Sequence, residues 1–133
     1  MADAFTVTTT ITNDSGQDLK LRCSDYEIAA KTINNKVTAT FPVPVPANYK
    51  VGFFVYDVGD SPGWMVFWTT DNQVFTMLFK ISDTIPREQA ASNPRQGHSE
   101  HEIIYPGYKY TAWARIETNA DGQALTANIS HAE

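Results

Sequence analysis

The sequence predicts an all-β protein: one antiparallel β-sandwich domain with little helix, spanning residues 1–133. Three observations carry this. Phe5, Val7, Thr9 and Ile11 alternate with Thr6, Thr8, Thr10 and Thr12, a largely β-branched run with the period of two that a strand imposes. From Trp64 to Ile81, two aromatic-rich runs flank Thr70-Asp71-Asn72-Gln73. Asp and Asn tolerate left-handed backbone, so this block reads as a hairpin. Finally, no convincing helix of ten or more residues appears anywhere in the chain.

The elements follow in order. Asn13-Asp-Ser-Gly16 turns the first strand, and Leu19, Leu21 and Cys23 alternate in a second. Ser24 to Asn35 is mixed and reads as a helical turn or an irregular loop. Lys36 to Phe41 is a third strand, ending at Pro42-Val-Pro-Val-Pro46, where missing backbone donors favour a sheet edge or a polyproline excursion. Tyr49 to Val58 is a fourth strand, and Gly59 to Gly63 turns it into the aromatic hairpin. There Trp64, Val66 and Trp68 share one face and Met65 and Phe67 the other, so this strand belongs in mid-sheet under a second layer. Phe75, Met77, Phe79 and Ile81 share one face of the next strand. Asp83 to Glu102 is expected to be a long loop, shortened by a short helix around Arg87 to Ser92. Tyr108 to Thr118 and Gln123 to His131 close the chain as a hairpin across Asn119-Ala-Asp-Gly122. The expected core includes Val66, Phe67, Phe75, Met77, Phe79 and Ile116.

Composition narrows the function. With 133 residues, 42% apolar and 19% charged, the chain suits one globular domain and excludes a disordered tail. A net charge of −5 and ten scattered Lys and Arg argue against nucleic acid as partner and against binding driven by anionic lipid. Cys23 is the sole cysteine, so no intramolecular disulfide or thiol pair forms. The N-terminal residues lack the basic region and apolar stretch of a signal peptide. Synthesis in the cytoplasm is therefore expected, with release to act at target-cell membranes left open.

His98-Ser-Glu-His101-Glu102 is the one cluster resembling a metal site. It reads either as a divalent ion held by two imidazoles and a carboxylate or as a solvated loop. Imidazoles spaced by three converge reliably only on a helix, and Pro94, Gly97 and Pro106 flank the segment. The loop reading, with no metal and no cofactor, is the expectation. No nucleophile motif or phosphate loop occurs, and Cys23 sits at an alternating apolar position, so no enzymatic activity is expected. Aromatic residues are the better lead. Trp64, Trp68, Trp113, Tyr105, Tyr108 and Tyr110 supply flat amphipathic groups, most of them core, with Tyr105 and Tyr108 set at a Pro-Gly turn.

Taken in order, the chain resembles the actinoporin-like β-sandwiches, which include sea-anemone cytolysins and fungal fruit-body lectins; the small acidic aegerolysins are comparable. The resemblance rests on Thr8 to Leu21, on Phe41-Pro-Val-Pro-Val-Pro46, on the hairpin from Gly63-Trp-Met-Val-Phe-Trp68 to Val74-Phe-Thr-Met-Leu-Phe79, and on Lys109 to Ile129. The first strand starts almost at residue 5, without the N-terminal amphipathic segment by which actinoporins form pores. What the resemblance implies is a non-enzymatic toxin- or defence-type recognition protein, cytolytic or not, that binds membrane lipid headgroups. A carbohydrate-binding lectin and a structural or assembly module are the alternatives, and self-association into a homo-oligomer stays open. The ligand site is expected at one end of the sandwich. Trp64, Tyr105 and Tyr108 would give it flat contact area, and Arg87, Asn93, Arg95 and Gln96 would give it donors.

Overall fold

The computed structural model describes residues 5–45, 49–60, 62–80, 84–85, 87–92, 94–105, 108–119 and 122–132. It is an all-β sandwich. In chain order the elements are β1 (Phe5–Asp14), β2 (Leu19–Ser24), β3 (Thr32–Ile33), β4 (Thr38–Val45), β5 (Val51–Val58), β6 (Gly63–Thr69), β7 (Gln73–Phe79), α1 (Arg87–Ser92), β8 (Arg95–Gln96), β9 (His98–Tyr105), β10 (Tyr108–Asn119) and β11 (Gly122–Ala132). One sheet has the order β4-β1-β11-β10-β9 and the other β3-β2-β5-β6-β7-β8. Among the described residues every strand pairing is antiparallel except β1 with β11, so the first and last long strands run side by side in the middle of their sheet.

The main core lies between the sheets, where alternation drives it. Val7 and Ile11 of β1, Ala112, Ala114 and Ile116 of β10, and Leu125, Ala127 and Ile129 of β11 meet Phe54, Tyr56, Trp64, Val66, Trp68, Val74 and Leu78 of the facing sheet. The Trp64 indole is fully buried there. Its N–H, which would be costly to leave unpaired, donates to Thr76 Oγ1 at 2.8 Å, and that hydroxyl in turn donates to the Met65 carbonyl at 2.9 Å.

As its two apolar faces require, β6 sits in mid-sheet between β5 and β7. Its outward residues Met65 and Phe67 join Phe53, Val55, Phe79 and Ala90 of α1 in a second cluster, with Phe75, Met77 and Ile85 packed around it. Val66 and Ile116 lie in the central core, and Phe67 and Phe79 are buried in this second core cluster, as expected; the expectation needs correction for Phe75 and Met77, which lie at the margin of the second cluster. The inward residues of β7 are Val74, Thr76 and Leu78. Phe75 and Met77 are only partly buried, and Ile81 lies outside the described residues.

Two further corrections concern strand ends. The third long strand does not stop at Phe41 but runs through Pro42 and Pro44 to Val45. It can do so because β4 is a sheet edge, hydrogen-bonded to β1 alone, which leaves one side of its backbone without a ladder to serve. The expected loop Asp83 to Glu102 contains α1 at the anticipated residues, but its last part is strand β9. Asn72, in the hairpin between β6 and β7, has φ 62°, the left-handed backbone that the turn asks for.

Candidate functional site

The inner face of the five-stranded sheet is core; its outer face carries the polar half of each alternation. Strand register sets these outward residues in rungs. Glu100, Trp113, Asn128, Thr12 and Thr38 stand opposite one another across β9, β10, β11, β1 and β4. The adjacent rung is His98, Arg115, Thr126, Thr10 and Thr40. Directly opposed side chains on one face lie close enough to interact. Thr10 and Thr40 hydroxyls are 3.2 Å apart, as are those of Thr12 and Thr38.

Trp113 and Arg115, two apart on β10, share this face, and the guanidinium carbon lies 5.0 Å from the centre of the indole ring. This cation–π contact holds a long flexible side chain over a flat one. Beside the pair is an open hollow of about 290 Å³ lined by Gly97, Trp113, Arg115, Ile116, Glu117, Ala124 and Thr126. The short side chain of Ala124, between Glu117 and Thr8, leaves the floor low. The hollow thus combines an aromatic surface, five guanidinium N–H donors, a carboxylate and a hydroxyl, in the open and without a buried charge. Such a set can grip a polyhydroxylated ring by one apolar face and several hydroxyls.

The structure does not bring the described members of the sequence-expected set, Trp64, Arg95, Gln96 and Tyr105, into one site. Trp64 is fully buried and has no surface to offer a ligand. Arg95 and Gln96 form β8 at the turn between β6 and β7, where Gln96 Nε2 donates to the carbonyls of Asp71 and Asn72 at 3.2 and 3.3 Å. They are chain neighbours of Gly97 and so come nearest to the hollow. Tyr105 pairs with Tyr108 at the hairpin joining β9 to β10, and its ring packs edge-on against Tyr110 at 6.2 Å. The seven residue steps of β9 from His98 to Tyr105 put roughly 23 Å between these groups, at about 3.3 Å per step. The loop end and the tyrosine turn are opposite ends of the sandwich. Arg87 starts α1 and Tyr108 starts β10; neither side chain, nor Asn93, is among the described ones.

Strand geometry also separates the two imidazoles. Three residues apart on β9, His98 and His101 point to opposite faces. His98 joins the outer rung with Arg115, while His101 turns toward β7 and its Nδ1 accepts the Leu78 N–H at 3.0 Å. That bond requires the unprotonated nitrogen, and burial holds the His101 pKa below its ordinary value against the opposing charge of Glu102. No three His, Cys, Asp or Glu side chains come together as metal ligands among the described residues.

Sequence reasoning missed Trp113 and Arg115 as site residues, although their signal was present. Trp113, Arg115 and Glu117 alternate with Ala112, Ala114 and Ile116, which fixes the large polar and aromatic groups on the face opposite the core.

No family model matches the chain, and no curated protein matches it. Among solved structures, the crystal structure of the lectin XCL of Xerocomus chrysenteron, in a substituted form, is similar over 96% of this chain and 99% of that one. The TM-score is 0.51 and the identity 10%. The two therefore share a fold, a β-sandwich also used by a fungal lectin. Of the groups that the sequence resembles, the fungal lectins are the one this match represents.

Proposed function

We propose that the chain is a non-enzymatic carbohydrate-binding protein, a lectin, whose sugar contact is the hollow beside Trp113 and Arg115. The observation that carries this reading is an aromatic ring, a guanidinium, a carboxylate and a hydroxyl gathered around one open hollow on a rigid sheet. A sugar ring presents an apolar C–H face and a rim of hydroxyls, and that mixture matches the lining. The lectin whose fold the chain shares adds support from outside the site.

A lipid-headgroup cytolysin has less behind it. The large apolar side chains exposed among the described residues are Val37, Tyr49 and Ile104. Val37 precedes β4 and Ile104 lies on β9, the two opposite edges of one sheet, while Tyr49 precedes β5 in the other. Scattered groups of this kind make no contiguous apolar surface for a bilayer.

The test compares wild type with Trp113→Ala on an immobilised glycan panel and, in parallel, on phospholipid vesicles by sedimentation. Wild type should bind glycans, and the variant should lose ~1–3 kcal/mol of binding, as for a central aromatic anchor, while staying folded with a stability loss of about 1–2 kcal/mol for its partly buried ring and cation–π contact. Binding to vesicles and to no glycan would overturn the reading; equal glycan binding by both proteins would move the site elsewhere.

A further inference from the structure

We propose that the ligand is an extended, neutral, β-1,4-linked glycan chain, laid across the strands from the Trp113–Arg115 hollow over the hydroxyls of β11, β1 and β4. This inference rests on the lectin reading and names the ligand class for the same face. Three features lead to it. First, the β11 side of the hollow is formed by Ala124 and Thr126, whose pairing partners on the next strand are Thr8 and Thr10 of β1. Second, the register continues the hollow as two polar rungs, Thr126–Thr10–Thr40 and Asn128–Thr12–Thr38, with no charged or bulky apolar member. Three interstrand steps carry these rungs roughly 14 Å beyond β10, at about 4.8 Å each, farther than one pyranose ring reaches. Third, charge selects against an anionic chain. Arg115 shares the hollow with Glu117, Glu100 faces the same side of β9, and Glu102 beside it is balanced by Lys109 at 3.6 Å, so the face has no surplus of cations, in a protein of net charge −5.

The geometry also favours an extended chain over a branched one. The equatorial links of a β-1,4 chain give a ribbon with repeating hydroxyls along both edges, and the rungs present donors and acceptors at the repeating spacing of neighbouring strands. The hydroxyl pairs Thr10–Thr40 and Thr12–Thr38 are held 3.2 Å apart before any ligand arrives, so less side-chain freedom is lost on binding.

Cellobiose to cellopentaose, and the matching N-acetylglucosamine oligomers, would be titrated into the full chain by calorimetry. The same titrations would be run on Thr10→Val with Thr40→Val and on Thr12→Val with Thr38→Val. Each double change removes both hydroxyls of a bonded pair, so no partner is orphaned, and valine keeps the strand preference. In wild type, affinity should rise with chain length from disaccharide to tetrasaccharide. In each double variant that gain should shrink roughly tenfold, as for losing one or two hydrogen bonds to the chain. Affinity that is flat from the disaccharide onward, or a gain unaltered in both variants, overturns the extended chain while a positive glycan panel keeps the lectin reading. Failure to bind either series, with panel binding intact and sensitive to Trp113→Ala, overturns it in the same way. Self-association through this face, seen as a dimer in sedimentation that Trp113→Ala dissolves, also overturns it.

Discussion

His101 of β9 accepts the backbone N–H of Leu78 of β7 through Nδ1, at 3.0 Å, and so ties an edge of one sheet to the other. One turn of the alternation away, Ser99 does the same for the Thr76 N–H at 3.1 Å. Both amides lie on the side of β7 where the short strand β8 pairs only with Gln73 and Val74. Side chains thus stand in for a missing strand, and the sandwich is closed along this side by the outer strand of its own partner sheet.

The His101 bond makes stability depend on pH. Protonation of Nδ1 removes the acceptor and leaves the Leu78 amide facing a like-charged group. Burial lowers the folded-state pKa below the ordinary 6.5, while Glu102 on the same strand opposes the shift; β7 itself carries no titratable side chain. Since the unfolded chain binds this proton more readily, the contribution is present in full above the unfolded pKa and is lost as pH falls through it toward the lower folded value. Melting temperature measured from about pH 8 to about pH 5 should fall over the acid half of that range. His101→Gln, which keeps an acceptor but does not titrate, should flatten the fall. An identical profile in the variant would show that other groups carry it.

Gly52 is where two aromatic rings close on the backbone. A Cβ there would sit 2.5 Å from the Trp68 ring and 2.7 Å from that of Tyr26, both far inside contact distance. Neither ring can retreat freely, because Trp68 is 1% exposed and the Tyr26 hydroxyl donates to the Val51 carbonyl. Gly52→Ala should therefore cost about 1–3 kcal/mol, the range for overpacking a filled core. Urea unfolding would measure it, and a midpoint equal to wild type would mean that the rings move aside.

Which residues make strands was legible in the sequence because period-two alternation is strong in this chain. The β1, β6, β7, β10 and β11 patterns all lead to the observed elements. Which face of β7 meets the central core was not, since both faces are apolar and Phe75-x-Met77-x-Phe79 is the more conspicuous set. Only the position of α1 over the outer side decides it. The strand His98–Tyr105 hid behind charge: three of its four outward residues are His98, Glu100 and Glu102, the fourth being Ile104, and its inward ones include Ser99 and His101, which serve backbone amides instead of packing. The candidate site escaped for a related reason. Alternation puts Trp113, Arg115 and Glu117 on one face, but the approach of Gly97 to Ile116, which completes the hollow, joins segments that no local pattern pairs.

Arg95 and Tyr105, which the sequence alone groups in one binding loop, should behave as strangers. Arg95 is exposed on β8 at the turn between β6 and β7, whereas Tyr105 is partly buried at the far end of β9 against Tyr110. Arg95→Ala should change stability by no more than about 0.5 kcal/mol, as for an ordinary surface position. Tyr105→Ala should cost about 1–2 kcal/mol, because a partly buried ring and an edge-on aromatic contact are lost. Sites this far apart share no partner, so the double variant should be the sum of the two within about 0.5 kcal/mol, in unfolding and in glycan affinity alike. A coupling well beyond that limit in the affinity cycle would mean that both residues touch one ligand, and would restore the end-loop site at the expense of the sheet face.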